Sequence, residues 1–284
     1  MEYTELASGQ EMPMLGFGVF QIDDATTERC VADALASGYR LIDTAQAYGN
    51  ESGVGKAIAT SGVSRQDIFL VDKVWISNYG EGKTYESIKR SLELLGTDYV
   101  DLMLLHQPYS DYYGAWRDME RALSEGLVRA IGVSNFDPVR LADLVSFADV
   151  APVLNQVETH IFWQQRPAHE NMVKLGVQHM AWSPFAEGAN NFFKNPLLQE
   201  IGKAHNKSVG QVALRYLMDL GVVVIPKSTH KERMEENIDV FDFQLTDEER
   251  AQIATLDSGK SLVWDHSNAD FIAPWLKTVA ESIR

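Results

Sequence analysis

The sequence predicts an α/β protein with a (β/α)8 TIM barrel, an N-terminal β-hairpin and a C-terminal tail. Short apolar runs alternate along the chain with amphipathic helical patterns, and this alternation is typical of a parallel sheet covered by helices. The apolar runs number eight, and 284 residues suit a barrel of roughly 250 residues with additions. A doubly wound sheet is the alternative, but no GxGxxG pattern follows a predicted strand.

The individual elements follow from these runs and from the turns between them. A Ser8-Gly9 turn within residues 3–14 predicts a hairpin that closes the bottom of the barrel. Because the sequence contains no linker rich in Pro, Gly or Ser, we expect residues 1–284 to form one domain. Barrel strands are expected at residues 15–19, 41–43, 68–74, 100–106, 130–134, 153–158, 178–182 and 222–225. Helices are expected at residues 50–60, 82–95 and 113–125, with a further one beginning at Pro138.

The composition allows a large core and limits the possible cofactors and locations. Hydrophobic residues make up 45% of the chain, but no apolar run is long enough to cross a bilayer. The N-terminus lacks a basic start followed by an apolar stretch, so we expect a cytoplasmic protein. The single cysteine, Cys30, cannot form an internal disulfide, and the seven histidines include no HExxH, so no metal site is expected.

The formal net charge of −15 limits the binding partners. Such a surface repels nucleic acid and anionic membranes, and we expect neither as a partner. An anionic ligand would need a local group of Lys and Arg side chains. Residues 227–233, with the sequence KSTHKER, form such a basic cluster near the C-terminus.

Polar or aromatic side chains stand at or near the C-terminal ends of seven predicted strands. In a (β/α)8 barrel these ends converge on one face, where active sites form. The pattern therefore predicts a functional site at that face. The residues are Asp43, Lys73, His106, Ser134, Gln156, Trp182 and Lys227.

The segment at residues 43–51, DTAQAYGNE, closely resembles the DTAxxYGNE signature of the aldo-keto reductase family. The resemblance covers essentially the whole chain and implies a barrel enzyme that reduces aldehydes and ketones with NADPH. It is strongest to the shorter bacterial type, which includes diketogluconate and methylglyoxal reductases. Later segments match family landmarks in order, namely LLHQP at 104–108, GVSNF at 132–136, NQVE at 155–158, WSPF at 182–185 and IPKS at 225–228.

The resemblance implies a catalytic tetrad of Tyr48, Asp43, Lys73 and His106. Hydride delivery to a carbonyl carbon builds negative charge on the oxygen, and a positioned acid must neutralise that charge. A tyrosine keeps its proton at neutral pH, because its pKa is about 10, and a nearby lysine lowers that pKa. We therefore expect Tyr48 to be the acid, Lys73 and Asp43 to tune it, and a neutral His106 to orient the carbonyl oxygen.

Other segments are expected to bind the nicotinamide end of the cofactor. In the family, the residues matching Ser134, Asn135 and Gln156 hydrogen-bond the nicotinamide carboxamide, and their side chains suit that task. The residue matching Trp182 stacks on the nicotinamide ring. A loop that resembles the pyrophosphate-covering segment of the family begins with Ser183, Pro184 and Phe185.

The basic cluster is expected to bind the adenosine end. A helix N-terminus with Lys and Arg side chains suits a phosphate, and Ser228 and Thr229 are expected to cap the helix that follows Pro226. The resemblance implies that Lys227, Ser228 and Arg233 bind the 2′-phosphate, which favours NADPH over NADH. The residues expected at this end are Lys227, Ser228, Thr229, Arg233, Glu236 and Asn237, the last two beside the adenine.

Phe20 and Trp75 match family positions that line the substrate mouth, so the resemblance implies an aromatic mouth, which suits small aldehydes, ketones and planar apolar molecules. Gln107 departs from the family, in which a tryptophan often follows the catalytic histidine, and makes this wall more polar and less bulky. Asp72 stands where a small hydroxyl residue is common, and strand alternation directs it away from Lys73 and the site. The expected substrate-binding residues are Phe20, Trp75, His106 and Gln107.

Two alternatives differ from a carbonyl reductase. One is a regulatory subunit of the same fold that binds NADPH. The other is an unrelated barrel hydrolase or lyase, which would need a metal site or paired catalytic carboxylates that the sequence does not show. We expect a monomer whose partner is a small carbonyl compound, including aldehydes or substrates similar to keto sugars.

Overall fold

An antiparallel hairpin begins the chain in the computed structural model, which describes residues 1–283. Strand β1 (Tyr3–Glu5) pairs with β2 (Glu11–Pro13). The Thr4 hydroxyl donates to the side chain of Gln178, the residue that begins a barrel strand, at 3.0 Å. The hairpin therefore lies against the N-terminal ends of the barrel strands, as the sequence predicts.

Within residues 1–283, eight parallel strands follow the hairpin and form a second sheet in chain order. Each strand pairs with the next one in the sequence, which is the arrangement that helical crossovers produce. The predicted barrel class is confirmed. The strands are β3 (Phe17–Gly18), β4 (Leu41–Asp43), β5 (Phe69–Val74), β6 (Leu102–Leu105), β7 (Ile131–Ser134), β8 (Leu154–Glu158), β9 (Gln178–Trp182) and β10 (Val223–Val224).

A short seam closes the barrel between its first and last strands. Leu15 forms an isolated parallel bridge with Val224, and the Gly16 N–H donates to the Val224 carbonyl at 2.8 Å. A Cβ atom at Gly16 would lie 2.4 Å from the Leu41 side chain, so this close approach requires glycine. Strands β3 and β10 are each two residues long, which is shorter than predicted. They are joined by an isolated bridge and single hydrogen bonds rather than by a continuous ladder of paired residues.

Helices cover the outside of the barrel and connect its strands. The three helices with predicted bounds are each shifted by one residue at most, and Pro138 begins a helix as expected. Asp137 caps that helix by accepting the N–H groups of Val139 and Arg140. The helices are α1 (Asp24–Ala36), α2 (Glu51–Thr60), α3 (Lys83–Leu95), α4 (Tyr112–Ser124), α5 (Pro138–Phe147), α6 (Arg166–Leu175), α7 (Pro196–His205), α8 (Val209–Asp219), α9 (Lys231–Ile238), α10 (Asp247–Ala254) and α11 (Ala269–Ile283).

The C-terminal tail, residues 257–283, crosses the barrel face at which the strands end. Its helix α11 buries Ile272 and places Trp275 against Trp75, which follows β5. The predicted tail is therefore largely helical and contributes to the mouth of the barrel. None of the helices within residues 1–283 has both the length and the apolar character needed to span a bilayer.

Candidate active site

A cavity of about 650 Å³ opens where the barrel strands end. The strand ends bring together side chains that are distant in the sequence, from Phe20 to Lys227, as expected for a barrel. Lys73 does not line the cavity but lies fully buried behind it. The predicted residues that line the cavity are Phe20, Asp43, Tyr48, Trp75, His106, Gln107, Ser134, Asn135, Gln156, Trp182, Ser183, Pro184, Phe185 and Lys227.

The Lys73 ammonium group lies at the centre of the predicted tetrad. It donates to Asp43 Oδ1 at 2.5 Å, to the Thr44 carbonyl at 2.8 Å and to the Tyr48 hydroxyl oxygen at 3.4 Å. Burial alone would lower the pKa of Lys73, but Asp43 and Tyr48 raise it above its ordinary value. The lysine therefore stays charged beside the tyrosine hydroxyl.

Tyr48 ends a 3₁₀ turn, Gln46–Tyr48, directly after β4. Burial raises the pKa of Tyr48 above its ordinary value, and the Lys73 charge opposes that rise. The effect of Lys73 has the sign that we predict from the sequence, but the net shift is upward because desolvation is the larger effect. Tyr48 therefore holds its proton at neutral pH.

His106 faces the same part of the cavity. Its ring centroid lies 5.6 Å from that of Tyr48 and 5.1 Å from that of Trp75. Burial, and then the positive charge of Lys73, lower the pKa of His106 well below its ordinary value. The imidazole is neutral at neutral pH, as its expected role requires.

Gln46, which the sequence reasoning missed, fixes the turn that carries Tyr48. Its side-chain nitrogen donates to the hydroxyls of Ser87 and Ser91 on α3 at 3.2 and 3.1 Å. Its side-chain oxygen accepts the Trp75 N–H at 2.9 Å and the Asn78 amide at 2.8 Å. These contacts join the turn to α3 and to the segment after β5, which follows Lys73. No local pattern at Gln46 reveals them, because all its partners are distant in sequence.

A polar network lies beside the tetrad. The Ser134 hydroxyl donates to the Gln156 carbonyl at 2.8 Å, and the Gln156 amide donates to Asp43 Oδ2 at 2.8 Å. The Trp182 indole N–H donates to Asn135 Oδ1 at 2.8 Å. Asn135 has a φ of 66°, which non-glycine residues rarely adopt, so the network fixes an unusual backbone at a strand end.

The loop after β9 forms one side of the cavity. Ser183 has a φ of 50°, and Glu187 at 51° is likewise in the left-handed region. Phe185 packs against Phe192 and Phe193 with ring centroids 5.7 and 5.4 Å apart. The aromatic contacts stabilise a loop whose backbone is locally strained.

The predicted adenosine-binding residues lie around the start of α9. Lys227 is exposed and lines the cavity, Ser228 and Asn237 are buried, and Arg233 is exposed. The cavity does not extend to the remaining predicted residues at this end, which are Ser228, Thr229, Arg233, Glu236 and Asn237.

The predicted cap of α9 is wrong. The capping position is His230, and no side chain of the described residues caps the helix. The Ser228 hydroxyl instead accepts the His230 N–H at 3.1 Å, one residue before the helix begins. The loop between β10 and α9 is longer than the sequence predicts. Neither Ser228 nor Thr229 therefore reaches the free N–H groups in the first turn of α9.

The substrate end of the cavity combines predicted residues with tail residues. Phe20 lies 5.0 Å from Tyr48 between ring centroids, and Trp75 borders the mouth beside it. The Gln107 side-chain oxygen lies 3.0 Å from His266 Nε2, so Gln107 contacts the tail. The tail residues that line the cavity and that the sequence reasoning did not assign to the site are Val263, Trp264, His266 and Trp275.

The comparisons with known proteins agree with this geometry. A model described as the aldo/keto reductase family matches residues 14–258. The chain belongs to the aldo/keto reductase family. This assignment confirms the family and the enzyme class, an oxidoreductase, that the sequence motifs predict.

Several relatives of this aldo/keto reductase resemble it over nearly their whole length. It is 44% identical to the 9,11-endoperoxide prostaglandin H2 reductase of Trypanosoma cruzi over 266 residues, which cover 93% of this chain and 94% of the relative. It is 42% identical to the glyoxal reductase of Bacillus subtilis over 255 residues, covering 89% and 92%. Among solved structures, the Bombyx mori aldo-keto reductase in complex with NADP superposes with a TM-score of 0.89 at 35% identity, covering 95% and 96%.

A buried carboxyl pair lies behind the tetrad of this aldo/keto reductase. Asp72 points away from the cavity, as strand alternation predicts, and its carboxyl group contacts that of Glu51 on α2. Burial raises the pKa of both groups, and at Asp72 the Glu51 charge raises it further. A hydrogen bond from the Ser91 side chain opposes the rise at both groups. Glu51 Oε1 and Asp72 Oδ2 have no hydrogen-bond partner among the described residues, and we infer that the two carboxyl groups share a proton.

Proposed function

We propose that this chain reduces aldehydes and ketones to alcohols with NADPH, and that Tyr48 donates the proton. The observation that carries the proposal is the Lys73 ammonium group, which contacts Asp43 at 2.5 Å and the Tyr48 hydroxyl at 3.4 Å. A buried cation held beside a phenol stabilises the phenolate that remains after proton transfer. The protein is an oxidoreductase, and we treat residues 1–284 as one catalytic domain.

Each residue of the tetrad has a role that follows from its surroundings. Tyr48 holds its proton until negative charge develops on the carbonyl oxygen, and then transfers it. Lys73 balances the charge left on Tyr48, and Asp43 keeps the ammonium group in place. A neutral His106 donates a hydrogen bond to the carbonyl oxygen and so orients the substrate.

The residues around the cavity fit NADPH. Ser134, Asn135 and Gln156 present hydroxyl and amide groups that match a carboxamide, and the Trp182 ring borders the same space. Ser183, Pro184 and Phe185 form the wall beyond it. When bound, NADPH supplies the hydride, and the Bombyx mori relative is a complex with NADP.

The basic cluster gives the preference for NADPH. In a chain with a net charge of −15, Lys227 lines the cavity and Arg233 lies in the first turn of α9, and both carry cationic side chains that suit a phosphate. We assign Lys227, Ser228 and Arg233 to the 2′-phosphate. The residues assigned to the rest of the adenosine end are Thr229, Glu236 and Asn237.

The proposed substrates are small aldehydes, ketones or compounds similar to keto sugars, which contact Phe20, Trp75, His106 and Gln107. Aromatic rings on this side of the cavity favour apolar or planar groups next to the carbonyl. Relatives are named for glyoxal and for a prostaglandin endoperoxide, which differ greatly in size. A mouth bordered partly by the tail accommodates substrates of different length.

The competing role, a regulatory subunit of the same fold, has no support in the comparisons. The three relatives described above carry reductase names. We further propose that the protein is a cytoplasmic monomer that binds neither nucleic acid nor membranes, because its acidic surface repels both.

Consumption of NADPH tests the proposed reaction. Purified protein with methylglyoxal or 4-nitrobenzaldehyde should lower the absorbance of the reduced nicotinamide, and no consumption across a varied carbonyl panel would refute the proposal. The Tyr48→Phe variant keeps the ring but loses the acid, so kcat should fall by about 10²-fold or more. Its NADPH affinity, measured by quenching of tryptophan fluorescence, should stay near that of the wild type. Persistent turnover by this variant would show that another group is the acid.

A further inference from the structure

A buried carboxylate outside the tetrad binds the C-terminal tail. Glu158 ends β8, is 2% exposed and accepts four hydrogen bonds from the tail. Its Oε1 accepts the backbone N–H groups of Leu262 at 2.9 Å and Val263 at 3.1 Å. Its Oε2 accepts the Trp264 N–H at 3.0 Å and the Ser261 hydroxyl at 2.7 Å. One side chain thus fixes four consecutive tail residues.

The charge of Glu158 strengthens these contacts. Burial alone would raise the pKa of Glu158, but hydrogen bonds from His160, Trp264, Ser261 and Leu262 together lower it. The carboxylate is therefore ionised at neutral pH. Hydrogen bonds to an ionised acceptor are about twice as strong as those between neutral groups.

A second contact holds the tail two residues further along. His266 Nε2 lies 3.0 Å from the Gln107 side-chain oxygen, and the Tyr109 hydroxyl donates to the His266 carbonyl at 3.3 Å. Gln107 is itself fixed, because the Tyr79 hydroxyl contacts both its N–H and its carbonyl at 2.9 Å. The tail is thus attached to the barrel at two places, at the end of β8 and after β6.

Aromatic residues of the tail are placed by these two attachments. Trp264 lies directly beside the Glu158 contacts, and its ring centroid is 5.7 Å from that of Trp275. Trp275 in turn lies 6.1 Å from Trp75. Both tail tryptophans line the cavity, and together they form part of its wall.

We propose that Glu158 is a positioning residue for substrate binding, with Gln107 as the second attachment. It acts through the tail, because it holds residues 261–266 so that Trp264 and Trp275 form one wall of the substrate pocket. The proposal rests on the proposed reductase function. A bulky aromatic aldehyde reaches this wall, whereas methylglyoxal, with three carbons, is small enough to be held at the tetrad.

The Glu158→Gln variant tests the proposal. Glutamine offers one acceptor oxygen and turns an NH2 group towards two of the tail donors, so at least two of the four contacts are lost. We expect the KM for 4-nitrobenzaldehyde to rise by about tenfold or more. The kcat for methylglyoxal and the affinity for NADPH should stay within about twofold of the wild type.

Hydrogen exchange gives a readout that needs no turnover. The backbone N–H groups of residues 262–264 should exchange about tenfold faster in Glu158→Gln, while those of β4 and β5 stay protected. Glu249→Gln is the matched control, because Glu249 also contacts a histidine, His205 at 2.9 Å, and lies on α10. This control should change neither the aldehyde kinetics nor the exchange of the tail.

A second variant with a smaller change covers the case in which Glu158→Gln folds poorly. The Ser261→Ala/Tyr109→Phe double variant removes one hydrogen bond at each attachment and leaves the barrel strands and the residues that line the cavity unchanged. It should raise the KM for the aromatic aldehyde by about threefold or more with the methylglyoxal kcat retained.

Three results separate the possible failures. An unchanged aromatic KM in both variants, or an equal loss of kcat/KM for both aldehydes, would overturn the positioning role. Unchanged exchange of residues 262–264 in Glu158→Gln would overturn it independently of catalysis. Wild-type protein that consumes no NADPH with either aldehyde would instead overturn the proposed function.

Discussion

Replacing Asp72 with asparagine tests whether the Asp72–Glu51 pair shares a proton. Burial raises the pKa of both carboxyl groups in the folded protein, whereas the unfolded chain has ordinary values of about 4. The folded protein therefore binds one proton more than the unfolded chain at pH values between about 4 and the folded pKa of the pair. The stability contributed by this proton is fully present below that window and is lost as the pH rises through it.

The magnitude follows from linkage. Each extra bound proton makes the free energy of unfolding fall by about 1.4 kcal/mol per pH unit within the window. In Asp72→Asn the amide donates to Glu51 without a titrating proton. Its oxygen still accepts the Lys73 N–H, which Asp72 accepts at 2.8 Å. The free energy of unfolding of the variant, relative to that of the wild type, should therefore rise by about 1.4 kcal/mol for each pH unit above about 5, up to the folded pKa of the pair.

Urea unfolding followed by tryptophan fluorescence, from about pH 5 to pH 8, measures this difference. Asp118→Asn is the matched control, because Asp118 is also buried and accepts a backbone N–H, that of Tyr85, at 2.8 Å. Its difference from the wild type should not change with pH. If the Asp72→Asn curve runs parallel to the wild-type curve within about 0.5 kcal/mol, the shared proton is refuted.

Two further predictions concern the cofactor and the acid. Arg233→Ala should weaken NADPH binding by about tenfold or more and leave NADH binding nearly unchanged, because it removes a cation assigned to the 2′-phosphate. An unchanged preference between the two cofactors, measured by kcat/KM for each, would remove Arg233 from that site. Gln46→Ala should lower kcat by about tenfold while NADPH affinity is retained, because the turn that carries Tyr48 loses its contacts to α3 and Trp75. Steady-state kinetics with unchanged kcat would show that the turn needs no such support.

The parts of the fold and site that the sequence predicts are those governed by local pattern. Strand alternation directs Asp72 away from Lys73 and the site, because successive side chains of a strand point in opposite directions. The segment at residues 43–51 joins Asp43 and Tyr48 through a short stretch of chain, so its motif fixes their spacing. The strand ends converge because the barrel is closed, whatever its loops do.

The missed parts depend on partners that are distant in sequence. Glu158 contacts tail residues more than 100 positions away, and no periodicity in the sequence predicts which carboxylate accepts their hydrogen bonds. The net pKa of Tyr48 also depends on tertiary structure, since desolvation by the whole pocket outweighs one neighbouring lysine. The α9 cap fails for a local reason, because the helix begins at Lys231, too late for Ser228 or Thr229 to reach its first turn.

The seam of the barrel links cofactor binding to the integrity of the fold. Gly18 on β3 and Ile225 after β10 both line the cavity, and the Gly18 N–H donates to the Pro226 carbonyl across the seam at 3.2 Å. A molecule bound along the cavity contacts both sides of this seam, where the two strands, β3 and β10, are only two residues long. Its binding free energy then opposes opening of the barrel, by about 2.7 kcal/mol at a concentration 100 times Kd. A cell rich in the reduced cofactor would thus protect the enzyme from unfolding as well as drive its reaction.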